Sequence, residues 1–246
     1  MKLLTNTFAG MKGSEEMEAF VEELLEELEC NVVFEIPLWN GMKIPVLESV
    51  VVTWIIMAVL IILSKVLVRN LKIDHVDKKQ LLLESAISWI YNFFYDILGE
   101  HGKRYIPYMI TVIVYIGFAN VIGLFGMKPP TKDMNVTIAL SVMSIVVVEY
   151  AGIHKKGVKG WIKGFAEPVA IVAPINVLEL FIRPLSLCMR LFGNVLGAFV
   201  VMELIKLCIP VFVPAVFSCY FDIFDGLIQA YVFVFLTSLF IKEAIE

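Results

Sequence analysis

Residues 184–208 read PLSLCMRLFGNVLGAFVVMELIKLC, a run apolar enough to cross a lipid bilayer except for one guanidinium near its start, Arg190. A spanning helix needs about 20 predominantly apolar residues. A charge at the bilayer centre costs roughly 2.5–3.5 kcal/mol on insertion, so Arg190 requires a compensating partner or water. At about 100° per residue, Glu179, Arg183, Ser186, Arg190, Asn194 and Gly197 fall within roughly 60° of one line along the helix, with Gly193 on its border. Leu187, Leu191, Phe192, Val195 and Val200 cover most of the remainder. One face thus combines charge, amide, hydroxyl and bare glycine, and glycine lets a second backbone come close. Such a face suits contact with another membrane helix, with Arg190 at its centre.

The segment that follows, about 212–243, carries a second polar line. Asp222, Asp225 and Gln229 lie within about 60° of each other, Gly226 sits beside them, and Tyr220, Phe221, Phe224, Phe233 and Phe235 surround them. A carboxylate in apolar surroundings binds protons more tightly and can relay ions. Glu203 adds another acid, about 140° around its own helix from Arg190. Its direction suits an access path on a different side.

The rest of the chain is consistent with lipid as solvent. Of 246 residues, 59% are hydrophobic and 18% charged, and mean hydropathy is +0.84, against about 45–50% apolar and 25% charged in soluble domains. The reading is an all-α membrane protein. Residues 1–47 form an extracytoplasmic segment, with an acidic amphipathic helix around 15–29 followed by a loop holding Pro37 and Pro45. Residues 48–246 form one membrane domain with helices at about 49–68, 79–99, 105–126, 136–153, 170–208 and 212–243. The 79–99 stretch, interrupted by Glu84, Asn92 and Asp96, is expected to lie on the membrane surface. The last two exceed the roughly 20 residues of a perpendicular span, so they must tilt, bend or extend. Their hinge contains Pro210 and Pro214.

Basic residues set the orientation. Arg69, Lys72, Lys78 and Lys79 follow the first span, and Lys155, Lys156, Lys159 and Lys163 stand in what reads as a loop after 153. Both point to the cytoplasm by the positive-inside rule, leaving the N-terminus outside and the C-terminus inside. The net charge of −4 and the absence of a basic patch speak against nucleic acid. The start, MKLLTNTFAGMK, lacks the apolar core of a secretory signal. Cys30, Cys188, Cys208 and Cys219 form no C-x-x-C pair, and His75, His101 and His154 are far apart in sequence, so no metal site is expected. No cofactor is expected either, and no nucleotide loop of the form G-x-x-x-x-G-K-[ST] occurs.

The stretch PLSLCMRLFGN at 184–194 resembles the signature of the F-type ATP synthase subunit a family, bacterial type. The resemblance extends through GKRYIPYMITVIVYIGFANVIGLFG at 102–126, PTKDMNVTIALS at 130–141, PINVLELFIRP at 174–184 and Gln229-Ala230, covering roughly 100–240. It implies a spanning helix, a surface helix, a spanning hairpin and two long tilted helices curving around a ring of c subunits. It further implies two aqueous half-channels that pass H⁺ or Na⁺ to and from a ring carboxylate, coupling ion flow to ATP synthesis. The ATP chemistry itself would sit on other subunits. Implied partners are the c-ring, b-type peripheral stalk subunits, the rest of the complex and the bilayer of the bacterial cell membrane. By resemblance Arg190 is the essential arginine between half-channels, and Asn194 and Gln229 match polar positions around it. The stripe Glu179, Arg183, Ser186, Gly193 and Gly197 would face the ring.

The sequence departs from that pattern at two places. Phe199 stands nine residues after the arginine, where many relatives have an acid or histidine, and Asp222 stands seven before the glutamine, where His or Glu is frequent. Asp222 and Glu203, then Asp225, are the candidate carboxylates of the outer path. Two competing classes make different demands. A self-contained secondary ion transporter favours inverted repeats and matched broken helices, which the sequence lacks. A structural scaffold would leave Arg190 paired with a buried acid.

Overall fold

The computed structural model describes residues 32–37, 43–69, 78–125, 127–164, 173–208, 217 and 219–246. The expected acidic helix at 15–29 and the Pro210–Pro214 hinge lie outside these residues. The side chains of Glu203 and Asp222 also lie outside what is described.

The loop expected around Pro37 and Pro45 is instead a two-stranded antiparallel hairpin, β1 (Val32–Pro37) with β2 (Lys43–Leu47). The run VVFEIP has the β-branched and aromatic content of a strand, and Pro37 and Pro45 are tolerated because a two-stranded sheet consists only of edges. The chain then enters α1 (Glu48–Val68) directly. Next come α2 (Lys78–Gly102), α3 (Ile106–Val121), α4 (Met134–Gly164), α5 (Ala173–Cys208), a π-helical segment (Cys219–Asp225) and α6 (Gly226–Ile245). Short 3-10 turns at Lys103–Tyr105, Ile122–Phe125 and Pro130–Lys132 join the middle helices.

Two boundaries differ from expectation for local reasons. Helix α4 runs to residue 164, so Lys155, Lys156, Lys159 and Lys163 are helical and not in a loop. The chain changes direction within it at Gly157, whose φ of 72° is a conformation that glycine adopts without a Cβ penalty. Gly99 (φ 65°) does the same near the end of α2. The final helix begins as a π segment, a rare form often found at functional sites. Pro184 lies inside α5, where it removes one helical hydrogen bond.

Among the described residues, five helical stretches are long and apolar enough to cross a membrane: 48–68, 78–125 (which joins α2 and α3), 134–164, 173–202 and 223–245. This is a helical, multi-pass membrane protein. Its core gathers Phe94 and Leu98 of α2, Ile106, Met109 and Ile116 of α3, Val148 of α4, Leu187 and Leu191 of α5, and Phe233, Val234 and Ile241 of α6. The first half of α2 stays open, with Leu82 and Trp89 about three-quarters exposed. Exposed apolar surface of this kind is what lipid or a partner helix covers.

Candidate functional site

Helix α5 buries Leu187, Cys188 and Leu191 against its neighbours, α4 foremost. Its opposite side is bare: Ile175, Phe181, Leu185, Ser186, Met189 and Arg190 are exposed. The polar stripe straddles the edge of that open face. Glu179, Ser186, Arg190, Gly193 and Gly197 are exposed, whereas Arg183 and Asn194, on the edge turned toward the bundle, are half-buried. Arg190 makes no hydrogen bond or ion pair among the described residues, so the scaffold reading with a paired Arg190 finds no support there. An added Cβ at Gly193 or Gly197 would meet nothing within 4 Å, so the glycines leave a smooth strip beside the guanidinium.

One turn beyond Arg190, Asn194 crosses to the last helix. Its Nδ2 donates to Asp225 Oδ2 at 2.6 Å, a short bond as expected for a carboxylate acceptor. Asp225 ends the π segment. The next residue, Gly226, accepts from Asn120 Nδ2 at 3.0 Å through its carbonyl, and Asn120 Oδ1 accepts from Thr131 Oγ1 at 2.9 Å. Asn120 is buried. A chain of polar contacts thus runs from the 3-10 turn at 130–132 through α3 and the π–α junction to α5. Only glycine fits at 226, because a Cβ there would lie 2.7 Å from Asn120 Cβ. One turn further, Gln229 is 6% exposed and its Nε2 has no hydrogen-bond partner among the described residues. A buried donor left unpaired is costly, which marks the position as one where water or another polar group belongs.

The structure thus brings Asn194 to Asp225 and leaves Arg190 on the open face. The same turn at 130–132 holds residues that sequence reasoning passed over. Lys132 is 5% exposed, with its ammonium 3.6 Å from the centroid of the Phe199 ring. Asp133, also buried, accepts from Ser49 Oγ and from the Asn135 amide, capping α4. In sequence, PPTKDMN reads as an ordinary solvent loop. The signals there are a Lys-Asp pair close to two prolines and the family resemblance of PTKDMNVTIALS at 130–141.

At the other end of the bundle, α4, α5 and α6 enclose an open cavity of about 340 Å³ lined by Glu149, Trp161, Asn176, Glu179, Arg183 and Glu243, among others. Trp161 Nε1 donates to Glu149 Oε2 at 2.7 Å. Arg183 Nη2 donates to Glu179 Oε2 at 2.8 Å and to Glu243 Oε1 at 2.6 Å. No cluster of three or more His, Cys, Asp or Glu side chains suited to a metal ion occurs among the described residues.

Comparison of the sequence with known proteins identifies the family. The family model described as ATP synthase A chain matches residues 50–242. The chain belongs to this family. Curated relatives agree. ATP synthase subunit a of Moorella thermoacetica is 36% identical over 205 residues, covering 82% of this chain and 93% of the relative. ATP synthase subunit a 2 of a Bradyrhizobium species is 32% identical over 203 residues, covering 82% and 90%. A third, from Propionigenium modestum, is named as sodium ion specific and is 30% identical over 217 residues, covering 82% and 75%. Membership in the ATP synthase A chain family accounts for the run of apolar helices as part of an ion-transporting membrane assembly.

Proposed function

We propose that this chain is the stator wall past which a ring of c subunits turns, and that it delivers ions to and from the ring carboxylate through two half-channels. The observation that carries the reading is Arg190. It stands exposed on the open face of α5, without a hydrogen bond or ion pair among the described residues, beside the bare strip of Gly193 and Gly197. Arginine stays protonated at any physiological pH. A ring carboxylate arriving near it is held ionised, its pKa lowered by about 1–3 pH units, so it releases its ion. The same charge repels cations and prevents a direct leak between half-channels. Ring helices can approach closely where side chains are missing.

The outer path runs on the side of the 130–132 turn. Asp225, Asp222 and Glu203 are its candidate carboxylates, with Asn194 and Gln229 as polar lining. The Asn194–Asp225 hydrogen bond supports this reading by aiming a carboxylate at the turn that follows Arg190. The cavity holding Glu149, Glu179 and Glu243 is the inner mouth. Its neighbours Lys155, Lys156, Lys159 and Lys163 favour the cytoplasmic side, with residues 1–47 and the N-terminus outside and the C-terminus inside. Residues 48–246 act as one membrane domain in the bacterial cell membrane, with α2 lying at its surface. Ring, b-type stalk subunits and the catalytic sector are the partners, and this chain is non-catalytic by itself. The ion is H⁺ or Na⁺. A membrane potential of 100 mV supplies only about 2.3 kcal/mol per charge, so several ions must pass per ATP and any leak is expensive.

The test is ATP-driven ion pumping in vesicles holding the whole complex, comparing wild type with Arg190→Ala at equal assembly. Loss of pumping is expected. Undiminished pumping would remove Arg190 from the mechanism.

A further inference from the structure

We infer that Arg183 is a positioning residue for ion transfer: it braces α5 against α6 at the inner end and thereby holds Arg190, two turns away, against the ring. The inference rests on the stator reading above and adds a part that reading does not contain. Arg183 reaches across to Glu243, sixty residues on in sequence, at 2.6 Å and back to Glu179 at 2.8 Å. Its guanidinium also lies 5.0 Å from the centroid of the Phe240 ring. One cation therefore holds two carboxylates and an aromatic face at once, a combination that suits the planar, five-donor guanidinium and not an ammonium. The Arg183 side chain is 19% exposed while those of Glu179 and Glu243 are 48% and 61% exposed, so the brace joins a sheltered cation to carboxylates open to the water of the inner mouth, and its strength falls with added salt.

Its position gives the brace its purpose. Polar links between α5 and the final helical stretch include Asn194 to Asp225 near one end and Arg183 to Glu243 near the other. Arg190 lies between them on the same helix. Along the rest of its length α5 packs mainly on α4, and its outer face is open. Pro184, the residue after Arg183, weakens the helix at this point. A long helix with a proline there and no cover on one side bends easily under a moving ring. Tying Arg183 to α6 stiffens the bend and keeps the seven-residue stretch to Arg190 in register. The same grip keeps the carboxylates of Glu179 and Glu243 on the cavity wall at the inner end.

The experiment uses the whole complex in vesicles. It reads assembly, ATP hydrolysis and ions pumped per ATP for Arg183→Gln, Glu243→Gln, their double variant, Arg183→Lys and the reciprocal exchange Arg183→Glu/Glu243→Arg. Each single glutamine variant should lower pumping roughly tenfold while hydrolysis continues, within the range that directly contacting residues couple. The double glutamine variant should be no worse than either single one, Arg183→Lys should recover part of the loss, and the exchange should recover most of it. Should the single variants fail to assemble, an exchange that restores both assembly and pumping supports the brace, and one that restores neither overturns it. Pumping by Arg183→Gln within twofold of wild type, or glutamine effects that simply add, also overturns it. If Arg190→Ala abolishes pumping as expected while Arg183 proves dispensable, only the brace falls; if Arg190→Ala pumps normally, the stator reading falls first.

Discussion

Replacing Gly226 by alanine tests the polar chain behind the site, and its effect follows from three distances. The new Cβ would sit 2.7 Å from Asn120 Cβ, well inside contact. Asn120 cannot easily retreat, because it is buried and holds both the Gly226 carbonyl at 3.0 Å and the Thr131 hydroxyl at 2.9 Å. Overpacking of this kind costs about 1–3 kcal/mol, and weakening either hydrogen bond adds about 1 kcal/mol. Alanine returns at most about 0.5–1 kcal/mol through its better helix propensity. The net destabilisation should be about 1–3 kcal/mol, or roughly 2–12 °C in melting temperature at 2–4 °C per kcal/mol for a chain this size. The assay is thermal unfolding of the detergent-solubilised complex, with pumping measured alongside. Because the clash is with a Cβ, Asn120→Ala should not relieve it, whereas Asn120→Gly should. The double variant Asn120→Gly/Gly226→Ala should therefore lose less than the two single losses combined. A Gly226→Ala complex as stable as wild type would refute the close approach of α3 to the π–α junction.

Other expectations concern the open face and the charges. Gly197→Ala meets nothing within 4 Å among the described residues, so stability should change by less than about 0.5 kcal/mol while pumping falls; unchanged pumping would place the ring elsewhere. Asp225→Asn keeps the size and loses the charge that Asn194 holds at 2.6 Å, and pumping should drop at least about tenfold if this carboxylate relays ions. Arg190→Lys keeps the charge but loses the planar five-donor fork, so ions pumped per ATP should fall at equal assembly; a lysine variant that pumps like wild type would show that charge alone suffices. Val148→Ala, at a fully buried position in α4, should lower the melting temperature without altering ions pumped per ATP, since it removes packing far from the open face.

Much of the architecture was legible because a bilayer constrains sequence in one dimension. Apolar length sets which helices can cross, and a 3.6-residue period is enough to line up Glu179, Ser186, Arg190, Gly193 and Gly197 on one face of α5. None of that depends on what the helix packs against. Local backbone detail was less legible: the helical stretch holding Lys155 to Lys163 reads as a charged loop, and the hairpin of Val32–Pro37 with Lys43–Leu47 reads as coil, because short segments are decided by neighbours more than by composition.

The partnerships came only with the tertiary structure. Asn120 finds the Gly226 carbonyl across 106 residues, Asn194 finds Asp225, Arg183 finds Glu243, and Lys132 comes to rest on Phe199. The period of one helix gives the direction of its side chains but not the rotation, height or tilt at which a second helix meets it. Those are set by interlocking packing in the core, around Ile116, Leu191 and Phe233. By itself the sequence determined that an arginine lies on a polar, glycine-bearing face of a membrane helix; the packed bundle decided that this face is left open and which groups stand behind it, because contact between helices is a property of both surfaces at once.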